Sequence, residues 1–551
     1  MKSFVFALVL GLFVRSAHAD DVAVLAASAT SSSADSTDIT CLLDSKCNGK
    51  WQPASRDEGV DEGMYLQFSE AIPLYSIEVD IADENTKPSL ALYLNGKTTG
   101  PDDVVYVQSQ EKNADRKTVT YTFTGRNEED FQGSLHTNAR SVFIKIGKSY
   151  AKETRKPTVK AIRFYRRSKT DDPKKVVTTV MQFKLPKVVP VVVNASSILP
   201  PTTAYDPANL FDSRYDFAWS TDGAKTNGIG EKLDLTFARE VNIAGIYVWN
   251  GYQRSTTHFE KNGRVKSLNL TTAQGDSQYA ALGSTYGMQK IALTKPLMQV
   301  KQLSLEIADI YPGSAYKDVL ISELRFVDDK GNILLPAAPL PKLTYDKKWN
   351  EFLDRSWSTF LHGIAPGPEE CFEGCNNKSL RLRSNGTFVI YLDFGSVSND
   401  GSESANVLEG NWTVEQDKLR IFGKRYATQL RSSDYIKAEK TRSVPTANLF
   451  QSYITVTRYN DLSKAEQEGI LQAMIKRRPP VKDAGIGFSW VNTCKVAVKP
   501  EPGGLFADTW SGLMSSTRKY LEKINPYYVE SSVVTDLFMP TDSVYGCGGG
   551  C

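Results

Sequence analysis

Two stretches of the chain, about 170 residues apart, carry the same residue types at the same offsets. Asp44 precedes Trp51 by seven residues, and Asp212 precedes Trp219 by seven. Glu62 precedes Phe68 by six and Ile77 by fifteen, while Glu231 precedes Phe237 by six and Ile246 by fifteen. A glycine stands three before each glutamate (Gly59, Gly228), and Ile162-Arg163-Phe164 matches Leu324-Arg325-Phe326 at the two ends. Self-similarity on that scale is one folded unit made twice. Inside each unit apolar positions alternate, as in Ile77-Glu78-Val79, Val119-Thr120-Tyr121 and Val142-Phe143-Ile144. That two-residue period predicts strands, and two copies of one β-sandwich follow.

The repeat accounts for only part of 551 residues, a length that calls for three or four domains. Residues 168–194, basic and then rich in proline, read as a linker after a first sandwich at 39–167. The second sandwich is expected over 195–335, and Pro336 to Pro341 lie in a second linker, 336–343. From 344 to 551 the pattern predicts an α+β domain. Trp349, Phe352, Leu353, Trp357 and Phe360 recur at helical spacing. A hairpin is expected around Asn385-Gly386 and another around Gln416-Asp417. Ser463 and Glu466 form a capping box before a helix from Ala465 to Lys476, and a last helix is outlined by Trp510, Leu513, Met514, Thr517 and Leu521. The fold class is thus mostly β: two tandem sandwiches, then α+β.

The N-terminus reads as an export signal over 1–19, with Lys2, the apolar run Phe4 to Val14 and the small-residue pattern Ala17-His18-Ala19. Residues 20–38, with Ala27-Ser28-Ala29-Thr30 and three further serines, read as a flexible leader. A secreted, periplasmic or cell-surface protein is expected, cleaved near Ala19. No later window is apolar enough to predict a membrane span. Export puts the seven cysteines in an oxidising setting. Cys41 with Cys47, Cys371 with Cys375, and Cys547 with Cys551 are disulfide candidates; Cys494 is either free and buried or bonded to one of the last pair. None has the spacing of a zinc site, and neither a metal nor another cofactor is expected. Lys and Arg exceed Asp and Glu by only 66 to 63, a balance that does not predict a nucleic-acid partner.

In the second unit, Leu210-Phe211-Asp212, Trp219 and Gly228-Ile229-Gly230-Glu231 are followed by Asn250-Gly251-Tyr252, Asn262-Gly263-Arg264, Tyr311-Pro312-Gly313 and Asp318 before Ile321-Ser322-Glu323. Together they resemble the discoidin-like glycan-binding domain found beside bacterial NAD glycohydrolases, over about 195–330. The first unit shares the frame but has Ile81-Ala82-Asp83 where Asn250-Gly251-Tyr252 would fall, and lacks Tyr-Pro-Gly. The resemblance implies a sandwich whose loops at one end contact a sugar. Trp249 and Tyr252 suit the apolar face of a sugar, and Asn250, Asn262 and Arg264 its hydroxyls. The alternatives are structural: Trp219 and Trp249 as core, Glu231 as a bonded strand start, the Asn-Gly pairs as turns. Gly410-Asn411-Trp412 resembles the barrel-closing tryptophan of lipocalin-like barrels, the alternative being an ordinary hairpin with a core tryptophan.

Binding to a glycan or a glycosylated surface is therefore the expected function, with no catalytic residues assigned. The competing reading is an exported glycan, cell-wall or nucleotide hydrolase with an unrecognised catalytic domain after residue 344. The adjacent carboxylates Glu369 and Glu370 do not face each other as an acid and base must. Cys494 with His362 is the other pairing the sequence offers.

Overall fold

The computed structural model describes residues 22–540 apart from single positions and internal stretches, the longer being 83–88, 95–105, 114–118, 124–136, 148–155, 169–176, 340–344, 360–376, 432–447 and 477–517. The export signal, Phe360, His362, Glu369, Glu370, Cys494 and the candidate pairs Cys371/Cys375 and Cys547/Cys551 lie outside the described residues. Cys41 and Cys47 are bonded to each other.

The first unit is a sandwich of two five-stranded antiparallel sheets. One runs Val24–Ala29, Gly63–Leu74, Thr137–Gly147, Ser89–Leu94, Tyr106–Gln108 from edge to edge. The other runs Thr178–Val180, Val159–Arg167, Ser76–Ile81, Val119–Phe123, Gln110–Asn113. The alternate positions Leu66, Phe68, Ile77, Val79, Ile162 and Phe164 meet between the sheets. Each such side chain, once fully buried, contributes about 1.5–3 kcal/mol.

The second unit wraps its core with one continuous eight-stranded sheet: Trp219–Ser220, Val319–Val327, Ile333–Ala337, Lys187–Ala195, Lys232–Asn250, Met288–Tyr311, Gly263–Thr272, Ser277–Ala281. Two strands are long, 19 residues for Lys232–Asn250 and 24 for Met288–Tyr311. Their pairing shifts register between Thr236 and Gly245, and bulges of that kind let one strand turn a corner and serve both layers.

The two copies share geometry down to single bonds. Trp51 Nε1 donates to Ser31 O at 3.1 Å, and Trp219 Nε1 to Ser197 O at 3.1 Å. Ile77 lies opposite Phe164 in one copy and Ile246 opposite Phe326 in the other. Gly59 and Gly228 both adopt positive φ, 78° and 91°, and each accepts the amide of its glutamate three residues on, at 3.0 and 3.2 Å. A side chain at either position would be strained, which explains the glycine at that fixed offset.

The third unit is a closed antiparallel barrel of eight strands in chain order, from Arg355–Thr359 to Thr535–Pro540. Both expected hairpins form: Leu382 pairs with Phe388 across Gly386 (φ 86°), and Glu415 with Lys418. Trp412 is buried, its indole donating to Arg383 O at 2.9 Å. Helix Lys464–Lys476 follows the sixth strand, Asn448–Arg458, with the capping box in place. Most of the last expected helix, Trp510 to Thr517, lies outside the described residues, though Leu521 is buried beside Tyr459 and Leu471.

Three expectations are corrected. Residues 20–38 are not a flexible leader: Val24–Ala29 is a strand paired with Gly63–Leu74. Val22 and Val24 face the core of the first sandwich while Ala23, Leu25 and Ala26 face the second, so a run apolar on both sides has nothing left for solvent. The hydroxyls that follow are likewise engaged, since Ser31 Oγ donates to the Glu62 carboxylate at 2.9 Å and Thr30 Oγ1 donates to it as well. The linker 168–194 contains strand Lys187–Ala195, whose inward Val189 and Val191 belong to the second core. Finally, residues 350–354 form a turn leading into strand Arg355–Thr359, which holds Trp357, so no amphipathic α-helix runs from Trp349 to Trp357. Trp349, Phe352, Leu353 and Trp357 are all buried in the barrel core, and burial on several sides imitates the helical period. Among the described residues the third domain combines the barrel with helix Lys464–Lys476, as the α+β expectation has it.

Among the described residues no helix is long and apolar enough to cross a membrane, and no group of three or more His, Cys, Asp or Glu is placed to hold a metal ion.

Candidate functional site

The segments singled out in the second unit converge at one end of it. Gly263 N donates to Asp318 O at 2.8 Å, and Ser314 N and Tyr316 N to the carbonyls of Glu260 and Lys261 at 3.0 and 2.9 Å. A Cβ on Gly313 would sit 2.4 Å from Lys261 O, and one on Gly223 would sit 2.5 Å from Asp318 N. Glycine is what lets these loops touch. Between them opens a cleft of about 440 Å³ walled by Gly223, Ala224, Thr226 and Asn227 on one side and Pro312, Gly313, Tyr316 and Lys317 on the other.

Tyr316 stands on the rim with 51% of its surface exposed, beside the exposed Asn227 and Lys317. Thr226 donates to Glu231 at 2.8 Å and Ser196 makes a second hydroxyl bond to the same carboxylate. Burial works to raise the pKa of Glu231, but those hydroxyls outweigh it and hold it below the ordinary value. The ionised carboxylate so anchors the wall that carries Thr226 and Asn227. Burial pushes the Asp318 carboxyl up.

The five residues expected to touch a ligand are not among those that line this cleft. Trp249 is 2% exposed, stacked on Tyr215 with ring centroids 5.2 Å apart, and belongs to the cluster between the two sandwiches. Asn250 is fully buried: its side chain donates to Val265 O at 2.6 Å and accepts Val265 N at 3.0 Å, locking two strands together. In these positions Trp249 and Asn250 are closed off from solvent, so the structural alternative describes their contacts. Tyr252 is buried against Tyr205 and His258. Asn262 caps helix Thr256–Lys261 by donating to His258 O at 2.7 Å. Arg264 is half-buried and ties Phe259 O (2.7 Å), Asn262 O (3.2 Å) and Pro312 O (3.4 Å) together, which sets the position of the Tyr316 loop.

Sequence reasoning missed Tyr316, Asn227 and Lys317. A signal existed for Tyr316, an aromatic residue between Tyr311-Pro312-Gly313 and Asp318, two motifs already singled out.

The fold and loop arrangement define a discoidin-like β-sandwich. Residues 185–327 match the family model described as the NAD glycohydrolase translocation F5/8 type C domain. Similar solved structures include the family 32 carbohydrate-binding module of Clostridium perfringens NanJ in complex with galactose, at 13% identity, 24% of this chain, 90% of that one and a TM-score of 0.20. The paired modules CBM32-1 and CBM32-2 of Clostridium perfringens ZmpB align at 12% identity over 55% of this chain and 92% of theirs, with a TM-score of 0.20. No curated protein matches the chain.

Proposed function

We propose that this is an exported carbohydrate-binding protein that attaches to a glycan or glycosylated surface at the loop end of its second sandwich. The observation that carries the reading is the cleft beneath Tyr316, inside the segment that matches the family model. A sugar ring offers an apolar face and a rim of hydroxyls. Tyr316 supplies an exposed ring for the face, and Asn227, Thr226 and Lys317 supply polar groups for the rim. Tyr252, Asn262 and Arg264 support the site by fixing the loops that carry these groups.

The full chain screened on a glycan array, with the best saccharide then titrated into wild type and variants, tests this. Tyr316→Ala is expected to weaken binding at least tenfold with the fold intact, and Arg264→Ala to weaken it less. Absence of any bound saccharide at millimolar concentration, or unchanged affinity in Tyr316→Ala, would overturn the proposal.

A further inference from the structure

In the first sandwich the residues beside the repeat glutamate are taken up by the barrel. Five residues before each repeat glutamate, the second copy carries Thr226, a wall of the cleft, and the first carries Asp57. Asp57 accepts from Arg381 at 2.9 and 2.8 Å and from the amide of Ser356 at 2.5 Å, both in the barrel. Glu62, the counterpart of Glu231, keeps the hydroxyl bonds of its copy, from Thr30 and Ser31, and adds Arg383 Nε at 2.9 Å and Arg381 Nη1 at 3.3 Å. Glu62 and Arg381 are each 1% exposed. Around these pairs Arg56 N donates to Asp354 O at 2.7 Å and Asn385 Nδ2 to Thr30 O at 2.7 Å, and the Arg56 guanidinium reaches the carbonyls of Asn350 and Leu353.

We infer that the Asp57 and Glu62 side of the first sandwich is an internal receptor whose ligand is the barrel's own arginine-bearing hairpin. The chemistry is specific to that occupant. Two carboxylates taken out of water require cations with fixed forked donors, and two guanidiniums spaced along strand Asn377–Leu382 and its turn provide them. Trp412 holds that turn by its bond to Arg383 O, so the barrel's core aims the arginine. A neutral saccharide would leave both carboxylates uncompensated. This inference rests on the repeat geometry and stands whether or not the second sandwich binds a glycan.

Hydrogen exchange on the full chain reads it directly, because the amides of Arg56 and Ser356 donate across this contact. In Arg381→Met/Arg383→Met, exchange at Arg56 and Ser356 is expected to rise at least tenfold, with strand Lys232–Asn250 and the pair Ser402–Glu415 and Lys418–Arg431 as protected as in wild type. Unchanged protection at Arg56 and Ser356 would overturn the inference. Arg56→Ala, which removes guanidinium bonds without stranding a buried charge, covers the case in which the double variant does not fold. It is expected to raise exchange at Ser356 severalfold, and no change there would overturn the inference equally.

Discussion

The two sandwiches are built on one plan and used for opposite ends. Trp51 and Trp219 make the same indole bond, Gly59 and Gly228 the same left-handed turn, and Glu62 and Glu231 the same hydroxyl contact, from Thr30 and Ser196. Besides the missing Asn-Gly-Tyr and Tyr-Pro-Gly motifs, the copies differ at the residue five before the glutamate and in what sits outside it. Thr226 is neutral, satisfies Glu231 from within its own copy and leaves the cleft to solvent. Asp57 adds a second carboxylate, so that end requires cations, and the barrel supplies them. On the shared frame, a neutral residue goes with an open cleft in one copy and an acidic one with a docked domain in the other.

The frame and the difference can be broken separately. Trp51→Ala and Trp219→Ala should each cost about 3–5 kcal/mol in chemical denaturation, because each removes a fully buried indole at an equivalent place. Clearly unequal costs would break the equivalence of the two copies. Glu62→Gln should cost about 3–5 kcal/mol, since it strands two buried guanidiniums. Glu231→Gln, which loses only charge-assisted hydroxyl bonds, should cost about 1.5–3 kcal/mol.

Acid should act on the same contrast. Burial raises the pKa of Glu62, but Arg383, Arg381 and the Thr30 hydroxyl more than offset it, leaving it below the ordinary 4.5. Its contribution is therefore complete above about 4.5 and is lost as the pH falls through the lowered folded value. Hydrogen exchange at Arg56 and Ser356 should rise in acid before strand Lys232–Asn250 loses protection. A further effect concerns the disulfide: reducing Cys41–Cys47, a separation of six residues, should cost about 2 kcal/mol by the chain-entropy account. A thiol count against stability in Cys41→Ser/Cys47→Ser measures it.

The repeat, the strand alternation and the Asn385-Gly386 turn were legible because each is a local pattern tied to a local cause: side-chain alternation, or the positive φ that only certain residues accept. The contacts between units were not, because nothing local marks them. Val22 to Ala26 read as a leader until a second sandwich covers its other face. Trp249 read as a sugar platform because an aromatic residue beside Asn-Gly is as suited to a ligand as to a neighbouring domain. The motifs singled out lie in the loops beside the cleft, with Asn262 and Arg264 bonded to loop carbonyls. Tyr316, which the loops present, is turned to solvent, and an exposed side chain imposes no period on its neighbours.

A crystal structure of the full chain soaked with the saccharide that binds best tests the central claim most directly. The account predicts one sugar per chain, seated between Thr226 and Asn227 on one side and Pro312 and Lys317 on the other with its ring against Tyr316, and the Asp57–Arg381 and Glu62–Arg383 pairs undisturbed. A sugar at the loop end of the first sandwich, or one bound away from Tyr316, would contradict it.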